Sequence, residues 1–150
     1  MTPQIIALSG LLVLPLGITK QEKFIKEIAP LIIEKSEKYE LEPELVASII
    51  QVESSWYPRA ESEAGACGLM QVIPKWNPKP DGTLYTCEEL KDPTTNIEAG
   101  TRALRWWMDR AKGNRQLALC AYNAGNVCFK KMRYSYVKRV EYVYEIITRK

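Results

Sequence analysis

Apolar residues recur at helical spacing in several separate stretches of the chain. In "EPELVASIIQVESSW", positions three, four and seven apart share one side of a helix, and this side collects Val46, Ile49, Ile50 and Glu53. Pro43 suits the first turn, so the helix is predicted to begin there. The pattern therefore places one carboxyl group on the apolar side of a helix, at the point where that helix ends.

The same periodicity predicts further helices and no sheet. The segment "KQEKFIKEIAPLIIEKSEKYE" contains Pro30, which fits best in a first turn, so we expect two short helices or one kinked helix. Gly125 suits a left-handed cap at the end of a later helix. The three helices of the C-terminal half are predicted at about 95–111, 115–124 and 135–148.

Two segments fall outside this helical pattern. Residues 77–93 are rich in Pro, Gly, Asp and Thr and predict a long loop with at most a short hairpin. Residues 1–20 are apolar but interrupted, without a preceding basic residue or a small-residue cleavage site. We expect them to be an N-terminal extension: a signal or signal-anchor, a packing arm or an assembly contact. Residues 21–150 are predicted to form one all-α domain with little or no β hairpin.

Composition excludes several kinds of site. The 150 residues contain no histidine, which removes Ser-His-Asp and Cys-His nucleophilic sites and His-containing zinc sites. A net charge of +3 predicts no polyanion partner such as nucleic acid. The C-terminal 25 residues nevertheless hold seven Lys and Arg against two Glu. This basic end is either a solvated helix face or a docking surface for a partner.

The four cysteines lack the close spacing typical of a zinc site. They allow three disulfide pairings, and the most local one joins Cys67 to Cys87 and Cys120 to Cys128. The alternative is four reduced, partly buried thiols. The sequence leaves both possibilities open.

The surroundings of Glu53 favour a functional site. Burial on an apolar helix face would raise the pKa of Glu53 and keep it protonated, as a general acid requires. The alternative is an exposed glutamate at a fraying helix end. Small residues and polar side chains follow, and together they predict a groove for a neutral, hydroxyl-rich and amide-rich ligand such as a sugar polymer. These are Ser62, Gly65, Ala66, Gly68, Met70, Gln71, Tyr122 and Asn123.

Four motifs in order resemble one known family. The stretch "ESSWYPRAESEAGACGLMQVIP" is followed by "DPTTNIEAG", "LALCAYNAG" and "YVKRV". Together they resemble the signature of the lytic transglycosylases of the soluble-lytic-transglycosylase (SLT) type, over about residues 30–145. The resemblance implies a lysozyme-like, goose-type all-α fold and cleavage of peptidoglycan.

Carried over by position, the resemblance assigns roles to individual residues. Glu53 becomes the single catalytic acid/base, and Asn96 and Ile97 are expected to brace the groove. The chain departs from the family pattern at Met132, where many members have a glutamate. The substrate-binding residues implied by the resemblance are Ser62, Met70, Gln71, Tyr122, Asn123 and Tyr136.

The resemblance also implies a reaction and a setting. A lone glutamate suits cleavage of the MurNAc–GlcNAc bond without water or cofactor, with ring closure to a 1,6-anhydro product. The alternatives are a lysozyme-type hydrolase on the same fold and a non-catalytic wall-binding module. The expected partner is a peptidoglycan strand, with a possible assembly partner at the N-terminal segment or the basic C-terminal helix. The expected place of action is the periplasm or cell envelope, reached by export or delivered by a phage particle or secretion machine.

Overall fold

A computed structural model describes residues 21–149, which fold into six α-helices and two short 3₁₀ helices. The α-helices are α1 (Glu22–Lys38), α2 (Pro43–Ser54), α3 (Cys87–Leu90), α4 (Pro93–Arg110), α5 (Arg115–Ala124) and α6 (Tyr134–Thr148). The 3₁₀ helices are Pro74–Trp76 and Gly125–Phe129. Within 21–149 the only β pairing consists of the isolated bridges Glu61–Cys67 and Cys67–Val72. The prediction of an all-α domain is therefore confirmed.

The core lies between α2 and the helices around it. Helix α2 packs most extensively along α6 and also contacts α1, while α4 packs on α1 and α5. Ile49 and Ile50 of α2 are fully buried, as are Ile32 of α1 and Leu104 of α4. Each such side chain contributes about 1.5–3 kcal/mol when it leaves water. Because α2 packs against helices on several sides, its last turn, which carries Glu53, is held in a fixed position.

Several helix boundaries follow from local capping. Pro43 and Pro93 occupy the first turns of α2 and α4, where their missing N–H is not needed. The Asp92 side chain accepts a hydrogen bond from the Thr95 amide at 2.9 Å, so α4 begins two residues earlier than predicted. The Asn114 side chain accepts from the Leu117 amide at 3.1 Å and fixes the predicted start of α5.

Three details of the sequence prediction are wrong. Pro30 lies inside α1 and not in a first turn; of the two predicted alternatives, two short helices do not form and a single helix does. Gly125 ends α5 with φ of +80° but ψ of −155°, which is not the left-handed cap conformation. The loop before α4 contains no hairpin but the short helix α3, which Thr86 and Glu89 cap reciprocally.

Two disulfides join neighbouring segments around the end of α2. They pair Cys67 with Cys87 and Cys120 with Cys128, with Cα–Cα distances of 5.6 and 5.9 Å. The most local pairing is therefore confirmed. The first bond ties the loop after α2 to α3, and the second ties α5 to the 3₁₀ helix that follows it.

The N-terminal extension, residues 1–20, lies outside the residues that the structure describes, so its three interpretations remain predictions. Between residues 21 and 149, the helices all fall short of the length and apolar character needed to cross a lipid bilayer.

Candidate active site

A groove of about 750 Å³ lies at the C-terminal end of α2. We call this cavity the groove. Four parts of the chain form its wall: Glu53, a part of the loop after α2, one face of α4, and the end of α5. The lining includes Glu53, Ser62, Gln71, Trp76, Asn77, Trp106, Trp107, Tyr122, Asn123 and Asn126. This volume is in the range of sites that hold small organic ligands or a few sugar units.

Glu53 stands in the last turn of α2 and is partly buried. Burial raises the pKa of Glu53 from 4.5 to about 7, because desolvation disfavours the carboxylate. Two groups of α6 lower the pKa of Glu53 and so oppose the effect of burial. The Tyr136 hydroxyl donates a hydrogen bond to Glu53 Oε2 at 3.1 Å, and the positive charge of Arg139 lies nearby. A carboxyl group with this pKa can both donate and accept a proton near neutral pH.

Glu53 is the only carboxyl group on the groove wall, as far as residues 21–149 define it. The acidic residues of the adjoining loop, Glu61 and Glu63, are exposed and do not line the groove. A glycosidase with two catalytic carboxyl groups needs the second one across the scissile bond. The described wall offers no second carboxyl group for such a mechanism.

A buried amide holds the loop that forms the groove wall. Asn96 of α4 is fully buried, and its Nδ2 donates to the carbonyl oxygens of Cys67 at 2.7 Å and Leu90 at 2.8 Å. Its Oδ1 accepts from the Met70 amide at 2.7 Å. A Cβ added at Gly68 would lie 2.1 Å from Asn96 Nδ2, so only glycine permits this approach. The expectation that Asn96 braces the groove is confirmed, and Ile97 is fully buried beside it.

Four of the predicted binding residues meet in the groove with Glu53. Gln71 has φ of +50°, a conformation rare outside glycine, and its Nε2 donates to the carbonyl oxygens of Ala60 and Gly68. Ser62 Oγ accepts a hydrogen bond from the Ala66 amide at 3.1 Å. The four residues are Ser62, Gln71, Tyr122 and Asn123.

The other two predicted residues reach the groove indirectly. The Met70 side chain is fully buried and packs over Gly100, so it does not form the expected apolar wall. Its carbonyl oxygen instead accepts a hydrogen bond from the Tyr122 hydroxyl at 2.7 Å. Tyr136 is 3% exposed and contacts Glu53 rather than the open space of the groove.

Three tryptophans of the groove were not predicted. Trp76 is 70% exposed and Trp106 is 53% exposed, although both line a concave surface. Trp107 lies beside Trp106 in an edge-to-face arrangement with a centroid distance of 4.7 Å. The count of four tryptophans was the only signal in the sequence, because the spacing does not tell an exposed ring from a core ring.

Comparison with known protein families shows to which family the chain belongs. A family model described as "Transglycosylase SLT domain" matches residues 30–143. The chain belongs to the transglycosylase SLT domain family. The prediction made from the four motifs is therefore confirmed, and Glu53 and the groove lie within the part that matches.

Curated relatives of this SLT domain include proteins of phage and bacterial origin. The transglycosylase of Enterobacteria phage PRD1 is 43% identical over 90 residues, covering 60% of this chain and 32% of the relative. The membrane-bound lytic murein transglycosylase C of Haemophilus influenzae (strain PittEE) is 33% identical over 114 residues, covering 67% of this chain and 32% of the relative. The chain thus spans about a third of the length of these relatives.

Solved structures support the fold of the SLT domain. The lytic transglycosylase Slt of Pseudomonas aeruginosa, in an inactive mutant form, aligns with a TM-score of 0.62 at 24% identity, covering 79% of this chain and 22% of that chain. The 70 kDa soluble lytic transglycosylase of Escherichia coli aligns with a TM-score of 0.62 at 23% identity, covering 97% of this chain and 26% of that chain. The predicted lysozyme-like, SLT-type fold is confirmed.

Proposed function

We propose that the chain is a peptidoglycan lytic transglycosylase that cleaves the MurNAc-(β1,4)-GlcNAc bond without water. The observation that carries the proposal is Glu53, the single carboxyl group on the described groove wall, with a pKa raised to about 7 by burial. Membership in the SLT domain family supports the same activity. A non-catalytic wall-binding module would have no use for a desolvated acid in its binding groove.

The first step uses the protonated form of Glu53. The carboxyl group donates its proton to the glycosidic oxygen, which leaves with the GlcNAc unit as the bond to the MurNAc anomeric carbon breaks. The 2-acetamido oxygen of MurNAc then stabilises the positive anomeric centre, so the substrate takes the place of a second carboxylate. Because the pKa is about 7, a large fraction of Glu53 holds its proton near neutral pH.

The second step uses the ionised form of the same residue. The Glu53 carboxylate removes the proton from the 6-hydroxyl of MurNAc, and the resulting oxygen bonds to the anomeric carbon. This closes the 1,6-anhydro ring and returns the proton to Glu53. The Tyr136 hydroxyl, 3.1 Å from Oε2, stabilises the carboxylate between the two steps. The reaction consumes no water and uses no cofactor.

Mass spectrometry of the soluble products of purified peptidoglycan tests this proposal. Ring closure gives muropeptides about 18 Da lighter than the hydrolysed forms. We expect these anhydro products from the native chain and none from the Glu53→Gln variant. Products of full hydrolysed mass would instead identify a lysozyme-type hydrolase on the same fold. Equal product formation by the Glu53→Gln variant would refute the role of this residue.

We further propose that the protein acts on the wall locally, in the periplasm or at the cell envelope. The similarity to a phage transglycosylase supports delivery by a phage particle, and delivery by a secretion machine is the alternative. The exposed basic residues before and in α6 remain a predicted contact for an assembly partner. They are Lys130, Lys131, Arg133, Lys138 and Arg139. Replacing Lys130, Lys131, Arg133 and Lys138 with glutamine should leave cleavage of isolated peptidoglycan unchanged and weaken delivery, measured as wall opening in infected or secreting cells. Arg139 is kept in this variant, because its charge lowers the pKa of Glu53.

A further inference from the structure

Beside the groove, in contact with two of its lining residues, lies an exposed arginine that the proposed reaction does not use. The Arg110 guanidinium carbon lies 4.8 Å from the ring centroid of Trp106 and 5.5 Å from that of Phe129. Its Nη2 donates a hydrogen bond to Asn126 Oδ1 at 3.3 Å. Trp106 and Asn126 both line the groove. We call these four residues the arginine corner.

The Arg110 charge has no carboxylate partner among residues 21–149. Four other arginines have one within 4 Å, namely Arg59, Arg105, Arg115 and Arg149. For Arg110, the Asn126 amide oxygen is the only acceptor within the described part of the chain. The groove wall beside it is otherwise neutral and aromatic. The fixed positive charge is thus available to a ligand rather than to the fold.

The geometry also holds the guanidinium in a form ready to bind. Cation–π attraction to the Trp106 and Phe129 rings uses the charge of the guanidinium, and the hydrogen bond to Asn126 uses one of its N–H groups, so its other N–H donors have no partner among residues 21–149. These contacts restrict a long side chain that would otherwise lose much rotational freedom on binding. A planar fork of this kind matches a carboxylate with two parallel hydrogen bonds.

We propose that Arg110 binds a carboxylate carried on the lactyl arm of a MurNAc unit in the groove. This inference rests on the proposed function, since it takes the ligand to be a peptidoglycan strand. The GlcNAc and MurNAc rings and their acetamido groups are neutral, so only the lactyl arm carries negative charge. That charge is either the free lactyl carboxylate of a bare strand or a carboxylate of the attached peptide. Arg110 therefore makes the groove selective for muramyl strands over uncharged chitin-like strands.

Binding to an inactive background tests this selectivity without interference from cleavage. The Glu53→Gln protein is compared with the double variant Glu53→Gln/Arg110→Gln by calorimetry against three soluble probes. Chitotetraose has no carboxylate, a bare GlcNAc–MurNAc tetrasaccharide has lactyl carboxylates, and the same tetrasaccharide with stem peptides has peptide carboxylates. Arg110→Gln should weaken binding of a carboxylate-bearing probe about tenfold, the scale of a charge-assisted hydrogen bond. It should leave chitotetraose binding unchanged.

Two further variants sharpen the comparison. Lys130→Gln removes the same charge from an exposed side chain that, within residues 21–149, has no hydrogen bond, ion pair or cation–π contact to a groove-lining residue, and it should leave all three affinities unchanged. Arg110→Lys keeps the charge but loses the planar fork, so it should recover only part of the affinity. Thermal unfolding checks that each variant is folded, which the exposed position of Arg110 favours.

The outcomes separate this inference from the proposed function. A loss confined to the peptide-bearing probe identifies the peptide carboxylate, and a loss on the bare tetrasaccharide identifies the lactyl carboxylate. An equal loss on all three probes, or no loss on any, would overturn the role of Arg110 and leave the proposed function standing. If the Glu53→Gln protein binds none of the three saccharides, the proposed function fails and this inference fails with it.

Discussion

Replacing Glu53 with glutamine should stabilise the protein at alkaline pH while abolishing activity. Burial raises the pKa of Glu53 from 4.5 to about 7, so the folded state resists ionisation of this residue and the unfolded state does not. A residue with a raised pKa in the folded state contributes stability that is fully present below the unfolded pKa. That contribution is lost as the pH rises through the folded pKa. Glutamine cannot ionise, so the free energy of unfolding of the variant does not fall for this reason as the pH rises.

The size of this effect follows from the pKa of the two states. Each pKa unit corresponds to about 1.4 kcal/mol, so a rise from 4.5 to about 7 amounts to about 3 kcal/mol. Partial solvent access reduces this to about 2–3 kcal/mol. The free energies of unfolding of the Glu53→Gln variant and the native chain should agree near pH 4. They should separate from about pH 4.5, and the variant should be more stable by the full amount at about pH 8 and above.

Urea unfolding at a series of pH values, with both disulfides kept oxidised, measures the difference directly. Glu63→Gln is the matched control, because Glu63 is an exposed glutamate of the adjoining loop without an ion pair in the described structure. Its stability should follow that of the native chain at every pH. Parallel curves for Glu53→Gln and the native chain would refute the reasoning, and so would a variant less stable at pH 8.

Three more substitutions test other contacts of the site. Tyr136→Phe removes the hydrogen bond that stabilises the Glu53 carboxylate, so the alkaline limit of kcat/KM should move up by about one pH unit. The same substitution at an exposed tyrosine of α6 is the control, and a downward shift of the alkaline limit would contradict the reasoning. Trp76→Ala removes a ring that is 70% exposed in the groove, so KM on peptidoglycan should rise about fivefold while Tm stays unchanged; an unchanged KM would argue against sugar contact. Gly100→Ala would place a methyl group 2.4 Å from the Met70 sulfur, so the free energy of unfolding measured in urea should fall by about 1–3 kcal/mol. An unchanged unfolding midpoint would mean that the structure relaxes around the added methyl group without cost.

The sequence predicted those elements whose limits depend on local chemistry. Helix α5 begins after the Asn114 cap and ends at Gly125, and both signals are visible in the sequence. Pro30 misled the prediction of α1 because the local rule considers only the missing N–H. In the structure Pro30 is exposed, while Ile28 and Ile32 on the opposite side are buried in the core. Packing of these side chains outweighs the one hydrogen bond lost at proline.

The groove shows the same division between local and tertiary information. Glu53 could be assigned from its helix face and from the motif around it. The tryptophans could not be assigned in this way. Trp56 and Trp76 both lie in the segment between α2 and α3, yet Trp56 is 1% exposed in the core and Trp76 is 70% exposed in the groove. Only the folded arrangement decides which ring meets the solvent. Met70 was wrongly expected on the groove wall for the same reason, since Gly100 on α4 provides the space that its side chain fills.

Helix α6 explains why the pKa of Glu53 is near 7 and no higher. Desolvation is the largest influence and raises the pKa, while Tyr136 and Arg139, one helical turn apart, both lower it. The Arg139 guanidinium lies 5.8 Å from the Tyr136 ring centroid, so the two groups approach the carboxyl group from the same helix. In the proposed reaction Glu53 first donates and then accepts a proton, and such a group works best when its pKa lies close to the working pH. The packing of α2 against α6 therefore sets two properties at once: it buries the carboxyl group, and it brings in the two groups that limit the effect of that burial.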